Sequence, residues 1–261
     1  MSSVNENSKF AILQKFPKIR PPLPDVYQKL YEREYLLNRE GGGVVEKIGK
    51  WLEAWMHKRI ARDNVFPVLE VGGGTLNHIS YEDESILEHY DVVEPFESLY
   101  ASSPLKDQVR RIYPWMKDVP SSQKYKRIIS IAVLEHMEEL PKEVARCAMH
   151  LDEGGVFRVG IPSEGGLLWY LAWRFGTGLA FWLRNRLDYG VLMRHEHVNN
   201  ATEIVEVINL LFRQVEVKRW PISWIHGSFY TYIEASQPNM QLCQNLLSAS
   251  PADSGEGICD T

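Results

Sequence analysis

Cysteine is scarce in this chain. Cys147, Cys243 and Cys259 are all it holds among 261 residues. Their odd number, wide separation and lack of metal spacing argue against a disulfide framework and fit a reducing, cytoplasmic setting. A long apolar run is missing as well. No stretch of about eighteen uncharged apolar residues occurs, so no transmembrane helix is expected. The polar opening, Met1 to Lys9, lacks the apolar core of a signal peptide. An excess of basic charge is also absent. The formal net charge of −5 leaves no footprint for nucleic acid. What is there, 44% hydrophobic and 24% charged residues, is ordinary for a soluble globular protein with a full core.

The chain is organised around Val68-Leu69-Glu70-Val71-Gly72-Gly73-Gly74-Thr75. Phe66 to Val71 is an apolar run with one acid, short enough for a buried strand. Three glycines follow, which tolerate positive φ and let a ligand lie on bare backbone. Thr75 to Ile79 reads as the first turn of a helix. Strand, glycine turn and helix make a nucleotide-binding corner in many α/β folds. Glycine clusters also make plain tight turns, so the stretch alone does not decide.

Ahead of it, Ser2 to Asp25 becomes basic and proline-rich (Arg20-Pro21-Pro22-Leu23-Pro24), an arm expected on the surface or on a partner. Val26–Glu40 and Val44–Arg62 carry helical periodicity and are expected to cover the sheet edge. Beyond it the segments alternate. Strands are predicted at Phe66–Val71, Tyr90–Glu94, Val109–Tyr113, Arg127–Val133 and Val156–Ile161, with a helix over Leu140–Leu151 and a turn at Gly154-Gly155. Apolar strands separated by helix-length segments imply a parallel sheet covered on both faces. Thr202 is a predicted N-cap for a helix over Glu203–Phe212. Gln214–Arg219 and Phe229–Ala235 alternate as an antiparallel pair. The expected organisation is an arm and covering helices over 1–62, a core over 63–236 with a lid insertion at about 163–198, and a disordered tail over 237–261.

Glu70-Val71-Gly72-Gly73-Gly74-Thr75, then Glu94, then Ser130-Ile131-Ala132-Val133-Leu134-Glu135-His136-Met137, then Leu151-Asp152-Glu153-Gly154-Gly155, come in an order that resembles the class I S-adenosylmethionine-dependent methyltransferases with a Leu-Glu-His signature after the fourth strand. The resemblance covers roughly Phe66 to Ala235. It implies an α/β, Rossmann-like three-layer sandwich whose seven-stranded, mostly parallel sheet ends in an antiparallel hairpin. It also implies S-adenosyl-L-methionine as cofactor. By the same resemblance Gly72, Gly73 and Gly74 border the methionyl portion, and Glu70 meets its amino group or orients the loop. The spacing after the glycines suits Glu94 to both ribose hydroxyls, as a carboxylate can accept two bonds at once. Asp118 matches the adenine-side acid, with Trp115, Met116 and Val119 as an apolar wall, although Trp115 is equally readable as core. Leu134 and Glu135 border the methionine moiety and the transferred methyl.

Two departures stand out. Leu76 occupies a frequent third-glycine position, and Tyr125-Lys126 replaces a frequent Phe-Asp pair before the fourth strand. His136, His195 and His197 are the candidate catalytic residues, since imidazole titrates near neutral pH. His195 and His197 are two apart, a ligand pair only on a strand, so no metal site is expected. Leu167 to Met193 breaks the strand–helix rhythm with dense aromatics and leucines, punctuated by Arg174, Arg184 and Arg186. It reads as a lid, with a buried helical cap as the plainer alternative. The resemblance therefore implies methyl transfer to a small-molecule acceptor, lipid-linked or saccharide; oxygen, nitrogen and carbon acceptors all occur in the group, and oxygen is the expectation here. The aromatics and arginines of 167–186 add an expectation of peripheral membrane contact. A non-catalytic binding module of the same fold and an NAD(P)-dependent oxidoreductase remain as alternatives. The glycine turn lacks the Gly-x-Gly-x-x-Gly pattern of the latter.

Overall fold

The computed structural model describes residues 10–28, 30 and 53–249. Seven strands form one sheet: β1 (Val68–Val71), β2 (Tyr90–Val93), β3 (Arg111–Tyr113), β4 (Tyr125–Ile131), β5 (Leu151–Pro162), β6 (Phe212–Pro221) and β7 (Ser228–Pro238). Their order is β3-β2-β1-β4-β5-β7-β6. Strands β1 to β5 run parallel, and β7 is antiparallel to both β5 and β6. This is the Rossmann-like, mostly parallel sheet with a C-terminal antiparallel hairpin that the sequence implies. Continuous burial along β1, β2 and β4 follows from their apolar runs, because helices and turns cover both faces.

On one face lie α1 (Leu140–His150), α5 (Ala201–Leu211) and α6 (Met240–Ser248), packed on Leu69, Ile128, Phe157 and Ile233. On the other lies the helical segment 53–60, whose Met56 and Ile60 are buried against Val68, Ile129 and Tyr232. That segment covers the middle of the sheet rather than its edge. The reason is Gly160 on β5, where a Cβ would come 2.3 Å from Met56 Cγ and 3.1 Å from Ile60 Cδ1. Val26–Glu40 and most of Val44–Arg62 lie outside the described residues.

Several local expectations are corrected. No long helix follows the glycine turn; short 3-10 turns occupy Asn77–Tyr81 and Glu84–His89. Asp83 caps the second of them, accepting from the Ser85 N–H at 2.9 Å. Meanwhile Glu82 is drawn inward to Arg127 and His78. Gly154-Gly155 lies inside β5, at an irregularity in its register with β4, and not before it. Helix α5 is capped by Asn200, not Thr202. Asn200 Oδ1 accepts from Glu203 N while Glu203 Oε2 accepts from Asn200 N, a reciprocal capping box. The segment after Gln237 does not begin a disordered tail: Asn239 caps α6, and Cys243 is buried against the core. Apolar positions in so short a helix give little periodicity to read.

Tyr125, where the resembled family often has Phe, is buried and donates to Asp91 Oδ2 at 2.7 Å, beside the Arg110–Asp91 pair. Lys126 pairs with Asp152 at 3.0 Å on the surface. These contacts hold the start of β4 that the missing acid left unexplained.

Between β5 and α5 stand three helices: α2 (Leu167–Phe175), α3 (Thr177–Asn185) and α4 (Tyr189–Glu196). The arm reaches them, since Leu23 and Tyr27 are buried with Phe181 and Leu192.

Replacing Gly160 with Val should lower stability by about 1–3 kcal/mol, the usual cost of overpacking. Urea denaturation checks this; an unchanged midpoint would mean that the helical segment 53–60 does not rest on β5.

Candidate functional site

The parallel strands β1 to β4 end along one edge, and the chain order reverses between β1 and β4. Ligands of open α/β sheets bind in such a crevice. Gly72 and Gly73 both donate to the carbonyl of Val93, at 2.8 and 3.3 Å, which folds the turn over the end of β2. Gly72 has φ +79, and a Cβ there would strike Val133 Cγ2 at 2.3 Å. A Cβ at Gly73 would strike Val92. Gly74, at φ +52, faces open space. So a side chain at Gly72 or Gly73 would collide with the chain's own packing, whereas at Gly74 the side-chain direction is open.

Glu94 is buried and clamps the turn. Its Oε2 accepts from Gly74 N at 2.7 Å and its Oε1 from Phe96 N at 2.9 Å. A carboxylate has further acceptor sites beyond these two. Glu70 is buried below the turn and accepts from the Tyr90 hydroxyl at 3.0 Å. Burial pushes its carboxyl up to about 8, against the Tyr90 hydrogen bond. Asp118 ends a 3-10 turn after β3 and is exposed, with Met116 and Val119 buried beside it. Trp115 is 53% exposed and is not core.

Beyond β4 the backbone turns sharply at Ala132, which has φ 53. The Leu134–His136 turn follows. It is held from outside by Asn199, whose amide donates to the carbonyls of Leu134 (2.9 Å) and Met137 (2.7 Å). The Glu135 carbonyl accepts from Val198 N and Asn199 N at 2.9 and 3.0 Å. This seam brings His197 against His136, edge to face, with ring centroids 4.8 Å apart. His136 Nδ1 donates to the Glu196 carbonyl at 2.8 Å. His197 Nδ1 lies 2.9 Å from Glu164 Oε1, close but not aligned as a linear hydrogen bond. Burial alone would lower the His197 pKa; the Glu164 contact, with the charges of Glu164, Glu135 and Glu196, outweighs it and raises it. Glu135 is buried and its pKa is raised by that burial, against the pull of His136 and His197.

His195 does not join them. Its Nδ1 donates to the Pro21 carbonyl at 2.7 Å. The arm runs across these loops of its own chain. Arg20 donates to the carbonyls of His136 and His195, each at 2.9 Å. Arg20, Glu164 and Asn199 are residues the sequence does not point to, because their partners lie far along the chain. A cleft of about 670 Å³ opens beside His197, lined by Lys18, Glu164, Trp169, Tyr170 and Trp173 among others. Val133 thus lies beside Gly72, the Leu134–His136 turn follows it, His136 meets His197, and His197 lines the cleft.

No protein-family model and no curated protein matches the sequence. Solved structures do match in fold. A SAM-dependent methyltransferase from Thermotoga maritima superposes with a TM-score of 0.50 at 14% identity, over 88% of this chain and 99% of that one. The N-methyltransferase NodS from Bradyrhizobium japonicum WM9, in complex with S-adenosyl-L-homocysteine, gives 0.51 at 14% identity, over 82% and 100%. The CurJ carbon methyltransferase gives 0.46 at 20% identity, and this chain, over 74% of its length, spans 55% of that one. The fold is that of the class I S-adenosylmethionine-dependent methyltransferases.

The raised pKa of Glu70 has a consequence for stability. A carboxyl that titrates near 8 when folded and near 4.5 when unfolded keeps its proton longer in the folded state. Its contribution is therefore fully present below pH 4.5 and is lost as pH rises to about 8. Glu70→Gln should flatten the decline of stability between pH 5 and 8. Denaturation at several pH values checks this, and parallel curves for the two proteins would refute it.

Proposed function

We propose that this protein is a methyltransferase that uses S-adenosyl-L-methionine and acts on a small-molecule acceptor at oxygen. The observation that carries the reading is the succession of neighbours from the Gly72–Gly74 turn, clamped by Glu94, past Val133 and the Leu134–His136 turn to His197, which lines a cleft. In it Gly74 and Glu94 face the methionyl and ribose portions, Asp118 serves the adenine side, and Leu134 and Glu135 border the methyl group. Glu70 supports the turn from below. Neighbours of the same fold that hold S-adenosyl-L-homocysteine support this assignment. The strand order, with β7 antiparallel beside β5, speaks against the NAD(P)-dependent alternative, whose sheet runs 3-2-1-4-5-6.

The chemistry is an in-line displacement. The acceptor oxygen bonds to the methyl carbon as the carbon–sulfur bond breaks, and its electron pair stays on sulfur, which loses its positive charge. The acceptor hydroxyl must also lose a proton. His197 lines the cleft in which an acceptor would sit and His136 packs edge to face against it, whereas His195 is engaged by the arm. Holding the two substrates in line supplies most of the acceleration.

One surface favours an apolar or lipid-linked acceptor. Helices α2 and α3 bury little, and they expose Leu167, Leu171, Phe175, Trp182 and Leu183. Phe175 alone is 69% exposed. Arg174, Arg184 and Arg186 edge this face and suit anionic headgroups or phosphates. Trp169 and Trp173, by contrast, are partly buried and line the cleft. Among the described residues no helix is long and apolar enough to cross a membrane, so the contact is peripheral in this reading.

Two measurements test these proposals. Calorimetry with S-adenosylmethionine and with NADH should give binding only to the first. Glu94→Ala should weaken it by about 1.5–3 kcal/mol, as for a lost charged hydrogen bond. Gly74→Leu should abolish binding without unfolding the domain; a normal isotherm for that variant would remove the turn from the site. Anionic vesicles should co-sediment the wild type but not a Leu171→Ser, Phe175→Ser, Leu183→Ser variant. Wild type left in the supernatant would leave α2 and α3 as a soluble cap.

A further inference from the structure

The Leu134–His136 turn holds more than an imidazole pair needs. One ligand atom from each of Glu135, His136 and His197 lies within 4.8 Å of the others. Glu135 is 2% exposed, and its Oε2 has no hydrogen-bond partner. A carboxylate oxygen buried without a partner is costly and demands a compensating group. His136 is already oriented through Nδ1 by the Glu196 carbonyl, which leaves its Nε2, while His197 Nδ1 is buried 2.9 Å from Glu164 without an aligned hydrogen bond. A histidine backed by a carboxylate or carbonyl is the arrangement that presents a lone pair to a metal ion. Arg20, which crosses this turn, is engaged elsewhere: it bonds the carbonyls of His136 and His195 and pairs with Glu138 and Glu196.

We propose that Glu135, His136 and His197 bind a divalent first-row transition ion, with open positions directed to the acceptor cleft. Ligands about 2.1 Å from one ion stand about 3.4 Å apart at the tetrahedral angle, so side-chain adjustments of about 1 Å close the present spacing. Two histidines and one carboxylate form a three-ligand set of the kind that leaves room for substrate. The role of the site rests on the methyltransferase reading. An acceptor hydroxyl coordinated there becomes more acidic and releases its proton to solvent through the cleft. The resulting alkoxide forms the bond to the methyl carbon as the carbon–sulfur bond breaks. His136 and His197 are then ligands, and neither has to carry the proton.

The test uses the full chain, stripped with a chelator and titrated with Co²⁺ alone, with no methyl donor present. Visible absorption reports coordination and calorimetry reports affinity. The wild type should take up one ion per chain with the bands of a low-coordinate site. Glu135→Gln, His136→Ala and His197→Ala should each lose those bands. Glu164→Gln, which keeps all three ligands, should bind about 10–100-fold more weakly. His57→Gln, at a separate histidine pair, should bind as the wild type does. Melting curves show which variants remain folded. Folded wild type that binds no Co²⁺, or folded variants that bind it undiminished, would overturn the proposal. S-adenosylmethionine binding, measured separately, stands or falls on the glycine turn and not on this titration.

Discussion

The site depends on a seam of four hydrogen bonds between segments more than sixty residues apart. Val198 and Asn199 close on the carbonyl of Glu135, and the Asn199 amide closes on Leu134 and Met137. Asn199 is 1% exposed, so these donors have no access to water as an alternative. Leaving a buried polar group unpaired costs about 1–3 kcal/mol, more than a single such bond contributes net. The seam therefore fixes the Leu134–His136 turn against the stretch that carries His197. Arg20 adds a third segment by bonding the carbonyls of His136 and His195. The turn that would face the transferred methyl is held by residues that would not touch it.

A second constraint works on the opposite face. Arg127 on β4 is fully buried and spans Glu82 and the carbonyl of Ile60. Glu82 continues to His78, and His78 to His57. Arg158 on β5 shares the Ile60 carbonyl and pairs with Asp63 and Glu234. Burial, then the neighbouring His78, lowers the His57 pKa to about 4, so the histidine end of this chain stays uncharged at neutral pH. Such a network ties the helical segment 53–60 and the turns after β1 to the sheet. It also explains why no long helix follows the glycines: Glu82 and His78 are committed to the interior. Breaking one partner would strand a buried charge, which makes the arrangement exacting more than stabilising.

The glycine turn shows that chain packing and ligand access are separate demands on one motif. Three consecutive glycines read as room for a ligand. In the fold, Val133 and Val92 fill the space beside the first two, and only Gly74 opens outward. Glu94 lies at the strand end its spacing indicates, yet both of its oxygens already hold backbone N–H groups. Spacing along a strand gives the location of a carboxylate, but what it bonds depends on neighbouring strands.

By itself the sequence determined where strands fall along the chain, the glycine turn at the end of β1, the acid at the end of β2 and the histidine-bearing turn after β4. These are local: runs of apolar residues, glycines and proline stops act on the few residues around them. The same locality misled at Thr202, where the Asn200–Glu203 pair caps instead, and after Gln237, where α6 is too short for its pattern to show. Only the tertiary structure decided which histidines stand together. His195 and His197 are two residues apart and part company, one to the arm and one to the site, while His136 and His197 meet across sixty-one positions. Long-range hydrogen bonds and packing set that choice, and neither leaves a periodic trace in the chain.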